Sequence, residues 1–129
     1  MQYLLDTQIL LWYLEDRDKL PNKITSIIDD ESNDIAISLI SLWEIAIKVK
    51  LGKLTLDIEI PYLIDHLEAS DFTLLGLESD YIKTLFSLPT IHKDPFDRLL
   101  ISTAKSENMV FISSDANIHK YHIPTLWSL

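Results

Sequence analysis

Residues 35–52 read Ile35-Ala36-Ile37-Ser38-Leu39-Ile40-Ser41-Leu42-Trp43-Glu44-Ile45-Ala46-Ile47-Lys48-Val49-Lys50-Leu51-Gly52, and this stretch decides the fold. Ile35 to Ser38 is a run rich in β-branched residues after a polar turn, which reads as a strand. Ser41 to Leu51 reads as a helix, and Gly52 is well placed to end it in a left-handed conformation. Within that helix Ser41, Glu44 and Lys48 form a thin polar stripe among Leu42, Trp43, Ile45, Ile47 and Val49. With so much apolar surface to bury, the stripe is expected to face a polar pocket. The plainer reading is a surface Glu44–Lys48 pair four residues apart, worth a few tenths of a kcal/mol.

The same alternation extends in both directions. Residues 2–5 read as a short buried strand, followed by a helix from about Thr7 to Leu14 and a charged turn from Asp16 to Leu20. Pro21 suits the first turn of a helix running to about Asp30. Beyond Gly52, Pro61 opens a helix to about Ala69, Phe72 to Leu77 reads as a strand, and Ser79 to Leu88 as a helix. Asp94-Pro95-Phe96-Asp97 is a helix start with Asp94 as cap and Pro95 in first position, and the helix continues to about Glu107. Val110 to Ser113 and Thr125 to Trp127 read as the last strands, with a short helix possible at Ala116 to Lys120. Strands alternating with helices predict an α/β fold with a mainly parallel sheet. Ligands bind such sheets at the carboxyl ends of the strands, near a switch point. No linker divides residues 1–129, so one domain is expected.

Composition narrows the function classes. A chain of 129 residues with 47% hydrophobic content suits a folded globular domain, without repeats or low-complexity tracts. The apolar run Ile9 to Leu14 is too short to span a bilayer, and no basic segment precedes it, so neither a membrane span nor a signal peptide is expected. The absence of cysteine excludes disulfides, thiolate metal sites and thiol nucleophiles, and is compatible with a cytoplasmic protein. A net charge of −9 argues against broad, non-specific nucleic-acid affinity. Two local basic groups, Lys48-Lys50-Lys53 and His92-Lys93-Arg98, remain available to a polyanion.

Four carboxylates stand out because each lies at the edge of an apolar stretch: Asp6, Glu44, Asp97 and Asp115. A carboxylate at the end of a buried strand is costly unless a cation sits beside it. Each acid also has a structural reading. Asp6 caps a helix at Thr7, Asp97 completes a capping box with Asp94, and Asp115 caps the short helix at Ala116. Asp97, however, shares its face with Leu100, Ile101 and Ala104, which leaves Asp94 as the cap and Asp97 as a ligand. Magnesium or manganese prefers oxygen donors, and a cluster of this kind serves phosphodiester hydrolysis without a nucleophilic side chain. Ser113 is positioned to hydrogen-bond one of these acids. Gly52 and Gly76 lie in no phosphate loop. His119 and His122 read as surface or hinge histidines, and Trp12, Trp43 and Trp127 as core residues rather than base-stacking platforms.

These residues carry a resemblance. Leu5-Asp6-Thr7, Ser38 to Lys48, Gly52-Lys53-Leu54, His92-Lys93-Asp94-Pro95-Phe96-Asp97-Arg98-Leu99-Leu100 and Ile112-Ser113-Ser114-Asp115 resemble the PIN-domain ribonucleases, specifically VapC-like toxins of bacterial type II toxin–antitoxin systems. The blocks around Trp43-Glu44 and Asp94 to Arg98 are the more specific. The resemblance implies an α/β/α sandwich and assigns Asp6, Glu44, Asp97 and Asp115 to the acidic cluster that binds magnesium or manganese. It implies cleavage of single-stranded regions of RNA, a homodimer, and neutralisation by a cognate antitoxin. Arg98 or Lys48 would contact phosphate, or Arg98 would pair with Asp94. Gln8 and Ser113 depart from the family's frequent His and Thr, which bears on substrate detail. Two rival functions are a catalytically inactive PIN-like binding module and a receiver-like phospho-acceptor domain. The second predicts paired acids after the first strand and a Lys after the last, and neither is present.

Overall fold

The computed structural model describes residues 1–127; residues 128 and 129, the last two of the span expected to form one domain, lie outside the described residues. Strand β1 (Gln2–Leu5) lies between β2 (Asp34–Ser38) and β4 (Val110–Ile112), while β3 (Thr73–Leu75) and β5 (Thr125–Leu126) form the edges. The order is β3-β2-β1-β4-β5, and every pairing is parallel. Six helices flank this sheet: α1 (Thr7–Glu15), α2 (Asn22–Asp29), α3 (Leu39–Lys50), α4 (Ile60–Glu68), α5 (Ser79–Ser87) and α6 (Pro95–Glu107).

The layering follows from the two-residue period of the strands. Tyr3, Leu5, Ile35, Ile37 and Ile112 enter one core with Ile9, Leu10, Ile24, Ile28, Leu63 and Leu67 from α1, α2 and α4. Leu4, Ala36 and Phe111, the intervening residues, enter a second core with Leu100, Ile101 and Ala104 of α6. Each fully buried Leu or Ile contributes about 1.5–3 kcal/mol relative to an exposed one. Both faces of the sheet are therefore covered, as an all-parallel sheet requires.

Element ends differ from expectation for local reasons. Helix α3 begins two residues early because Ser38, the last residue of β2, doubles as its cap: its Oγ accepts the Ile40 N–H at 3.0 Å. At the other end Gly52 has φ 72°, the Gly52 N–H bonds Val49 O and the Lys53 N–H bonds Lys48 O, which is the Schellman closure. Pro21 is the cap residue of α2, not its first helical residue. Strand β3 is shorter than the run 72–77 because it pairs only with Ala36–Ser38. Helix α6 ends on Asn108 in the left-handed region at φ 54°. The short helix expected at Ala116 is only a 3₁₀ turn, Ile118–Lys120.

The strand order reverses beside β1, so the carboxyl ends of β1 and β4 flank the switch point. Asp6 follows the first and Asp115 lies just beyond the second.

Candidate metal centre

Asp6 does two things at once. Its Oδ1 caps α1 by accepting the Thr7 N–H at 2.8 Å, and its Oδ2 accepts the Ser113 hydroxyl at 2.7 Å. The carboxyl is only 6% exposed. Burial pushes it above the ordinary carboxylate range, against the Ser113 and Thr7 hydrogen bonds, with Glu44 and Asp115 adding repulsion. The capping reading and the site reading of Asp6 are thus compatible, because separate oxygens serve them.

Glu44 comes from α3, and the polar stripe does face a pocket. Thr7 Oγ1 donates to Ser41 Oγ at 2.9 Å, which ties the first turn of α1 to α3 one turn before Glu44. Glu44 Oε2 accepts from Lys48 Nζ at 2.8 Å, while Oε1 is buried without a hydrogen-bond partner among the described residues. The Glu44 hydrogen bond raises the Lys48 pKa, so its ammonium persists at neutral pH. A buried carboxylate oxygen without a donor is costly unless a cation completes it.

On α6, Asp94 is the cap: its Oδ1 accepts the Phe96 N–H at 2.8 Å and the Asp97 N–H at 3.1 Å. Asp97 is left for other work. Burial, then the charges of Asp6, Asp94 and Glu44, push its carboxyl up to about 7, against the opposing influence of His92. Asp115 behaves in the opposite way. Burial raises its pKa, but the His92 hydrogen bond and the Asn117 N–H outweigh that and hold it below the usual range.

Asp6, Glu44, Asp97 and Asp115 line one cavity of about 200 Å³, together with Thr7 and Lys48. Convergence is uneven within it. Among the described residues the group compact enough to hold one ion is His92, Asp97 and Asp115, whose donor atoms lie within 4.8 Å of one another. Asp6 and Glu44 belong to the same cavity but not to that tight group. His92 is the residue that sequence reasoning placed elsewhere, in a basic cluster. Its Nε2 lies 2.9 Å from Asp115 Oδ2 and 3.2 Å from Asp97 Oδ2.

Other expectations need correction. Arg98 does not pair with Asp94 among the described residues. Its guanidinium reaches Pro89 O at 2.9 Å and, at 3.5 Å, His92 O, Leu85 O and the Tyr121 hydroxyl. Five N–H donors in a rigid fork suit a cage of carbonyls. Trp43 is 59% exposed, not a core residue, and meets Phe96 edge-on at 5.3 Å. Trp12 and Trp127 do pack against the core and against each other. His119 is exposed as expected, but its ring bridges Ser113 O and Thr125 Oγ1, each at 2.7 Å.

An all-parallel sheet with helices on both faces and acids grouped at the switch point defines a class of α/β proteins built around a carboxylate cluster. The sequence profile of the PIN domain matches residues 3–123, and the chain belongs to the PIN domain family. Solved structures with the same fold include VapBC2 from Rickettsia felis bound to a DNA fragment from their promoter, at 19% identity over 98% of this chain and 99% of that chain, TM-score 0.73. DNA-bound VapBC from Salmonella typhimurium is similar at 16% identity, 98% and 97% coverage and TM-score 0.70. A toxin–antitoxin complex from Klebsiella pneumoniae is similar at 19% identity, 96% and 95% coverage and TM-score 0.63. No curated protein matches the chain significantly. Among the described residues no helix is long and apolar enough to cross a membrane.

Proposed function

We propose that this chain is a metal-dependent endoribonuclease that hydrolyses RNA phosphodiester bonds as the toxin of a toxin–antitoxin pair. The observation that carries the reading is the charge deficit of the 200 Å³ cavity: five carboxylates, Asp94 among them, line it against one lysine, and one buried oxygen, Glu44 Oε1, has no partner among the described residues. The donors are oxygens, which suits magnesium or manganese. Asp6 and Asp97 would be the principal holders of the ion, directly or through water, with Glu44 and Asp115 completing the cluster. When bound, such an ion lowers the pKa of water and stabilises charge on a phosphodiester.

The chain's own residues prepare that chemistry. Ser113 and the Thr7 N–H orient Asp6, and the Thr7–Ser41 hydrogen bond sets α3 and hence Glu44. Asp97, with its carboxyl pushed up to about 7, retains a proton near neutrality and releases it when a cation displaces it. Lys48, half exposed beside Glu44, supplies a positive charge for an incoming phosphate. Partners follow from the same reading. A cognate antitoxin and a second copy of the chain would cover apolar surface such as Trp43 and Phe86, which are 59% and 92% exposed. A cytoplasmic location accords with a cysteine-free chain.

The test incubates the purified chain with single-stranded and structured RNA in magnesium, in manganese and in chelator, beside Asp97→Asn. Cleavage is expected only with metal and only in the wild type. Full cleavage and unchanged metal affinity in Asp97→Asn would overturn the assignment.

A further inference from the structure

We propose that His92 is a positioning residue of the carboxylate site, anchoring Asp115 through its ring N–H and keeping that carboxylate beside Asp97. The inference rests on the metal-dependent reading above and gives the carboxylates a partner that stands outside the ion's own oxygen ligands.

The ring is fixed from several directions. The His92 backbone N–H donates to the buried Tyr121 hydroxyl at 2.8 Å, and the His92 carbonyl lies within reach of Arg98. The ring Nδ1 accepts the Asp94 N–H at 3.2 Å. Asp94 is also the cap of α6, whose first turn carries Asp97, so the ring and that carboxylate are registered to the same helix end.

That last hydrogen bond decides what the ring can do. A nitrogen that accepts an N–H carries no hydrogen, so Nε2 carries the proton of the neutral ring. Nε2 is then a donor without a free lone pair, and it cannot ligate an ion. The hydrogen bonds Asp115 Oδ2 at 2.9 Å, and Asp97 Oδ2 lies 3.2 Å from the same nitrogen. Asp115 is held on its other side too, because Oδ1 accepts the Asn117 N–H at 2.8 Å. Both oxygens of Asp115 are therefore engaged. Neither carboxyl oxygen of Asp97 accepts a hydrogen bond among the described residues. His92 thus sorts the pair, with Asp115 as an anchored brace and Asp97 free to meet the cation. The i+5 spacing from His92 to Asp97 is what the cap turn at Asp94 and Pro95 supplies.

The experiment uses the full chain with Mn²⁺ as probe, comparing wild type, His92→Ala and His92→Gln. Free Mn²⁺ is quantified by electron paramagnetic resonance, and directly bound nitrogen by spin-echo modulation. Outer-sphere partners of metal ligands typically contribute 10–100-fold in affinity. His92→Ala is expected to bind Mn²⁺ about 10–100-fold more weakly, and His92→Gln, which retains a side-chain N–H, to recover most of the loss. Thermal unfolding in chelator checks that both variants fold, and the Gln variant alone suffices should the Ala variant not. Wild-type Mn²⁺ affinity in His92→Ala would overturn the proposal and leave the nuclease reading intact. Nitrogen modulation that disappears in His92→Gln would also overturn it, by making His92 a ligand. A wild-type chain that binds no Mn²⁺ would instead bring down the metal reading, and this proposal with it.

Discussion

At the carboxyl end of the sheet Asp6 and Glu44 are each 6% exposed, and Asp97 is repelled by three neighbouring acids. At the amino end Asp29, Asp30, Glu31, Asp34 and Asp71 line a much larger cavity, about 710 Å³, with Tyr13 and Phe72. There the acids stay in contact with water and find ordinary partners. Asp34 accepts from Gln2 and Thr73, Asp29 accepts from Tyr13 beside Arg17, and Asp30 is drawn below the usual range by the Ser32 hydroxyl and N–H. The smaller cavity is the one whose acids are withdrawn from water. Desolvation without a partner, not cavity size or the number of acids, separates a strained site from a solvated rim.

The sharpest way to break this contrast is to neutralise one acid at each end. Asp6→Asn should lower RNA cleavage, measured as kcat/KM, by about 10³-fold or more, equivalent to roughly 4 kcal/mol of barrier. Asp71→Asn should leave it unchanged.

Stability gives a smaller readout. The Asp97 carboxyl is raised in the folded chain, so in chelator the folded state holds that proton more tightly than the unfolded state does. Its contribution is fully present below the unfolded value near 4 and is lost as pH rises through about 7. Thermal unfolding in chelator should therefore show wild type losing stability relative to Asp97→Asn across that window, by a few kcal/mol. Magnesium at about a hundred times its Kd should restore roughly 2.7 kcal/mol to the wild type alone. A pH-independent difference would remove the strain argument.

The smallest effect belongs to the amino end. Glu31→Gln and Asp71→Asn alter exposed side chains and should shift unfolding by no more than about 0.5 kcal/mol, with or without magnesium. A larger, metal-dependent shift would make the 710 Å³ cavity a second cation site and erase the comparison.

The fold was legible because its signals are local. Pro95 after Asp94, Gly52 after Leu51 and the apolar run Tyr3-Leu4-Leu5 each act within a few residues. The acids were legible for a related reason, since each interrupts an apolar run. His92 was not, because its partner Asp115 lies 23 residues away and no periodicity reports how the loop before α6 turns back. Arg98 reads as a free cation until the carbonyls of Leu85, Pro89 and His92 are seen around it. Trp43 defeated the pattern differently. Helix α3 is apolar almost all round, and sequence alone cannot say that Leu42 and Ile45 face the core while Leu39 and Trp43 face outward.

Strand β1 is made before the other four strands yet sits at the centre of the sheet. Its β2 edge can zip once residue 38 has emerged, but its other edge waits for Val110–Ile112. The Ser113 hydroxyl then reaches Asp6 across 107 residues of chain. Such long-range closure is slow, and it comes last in vectorial folding. A ribosome-bound fragment lacking β4 carries Asp6, Glu44 and Asp97 without their brace, so the centre is timed to form only after β4 has emerged.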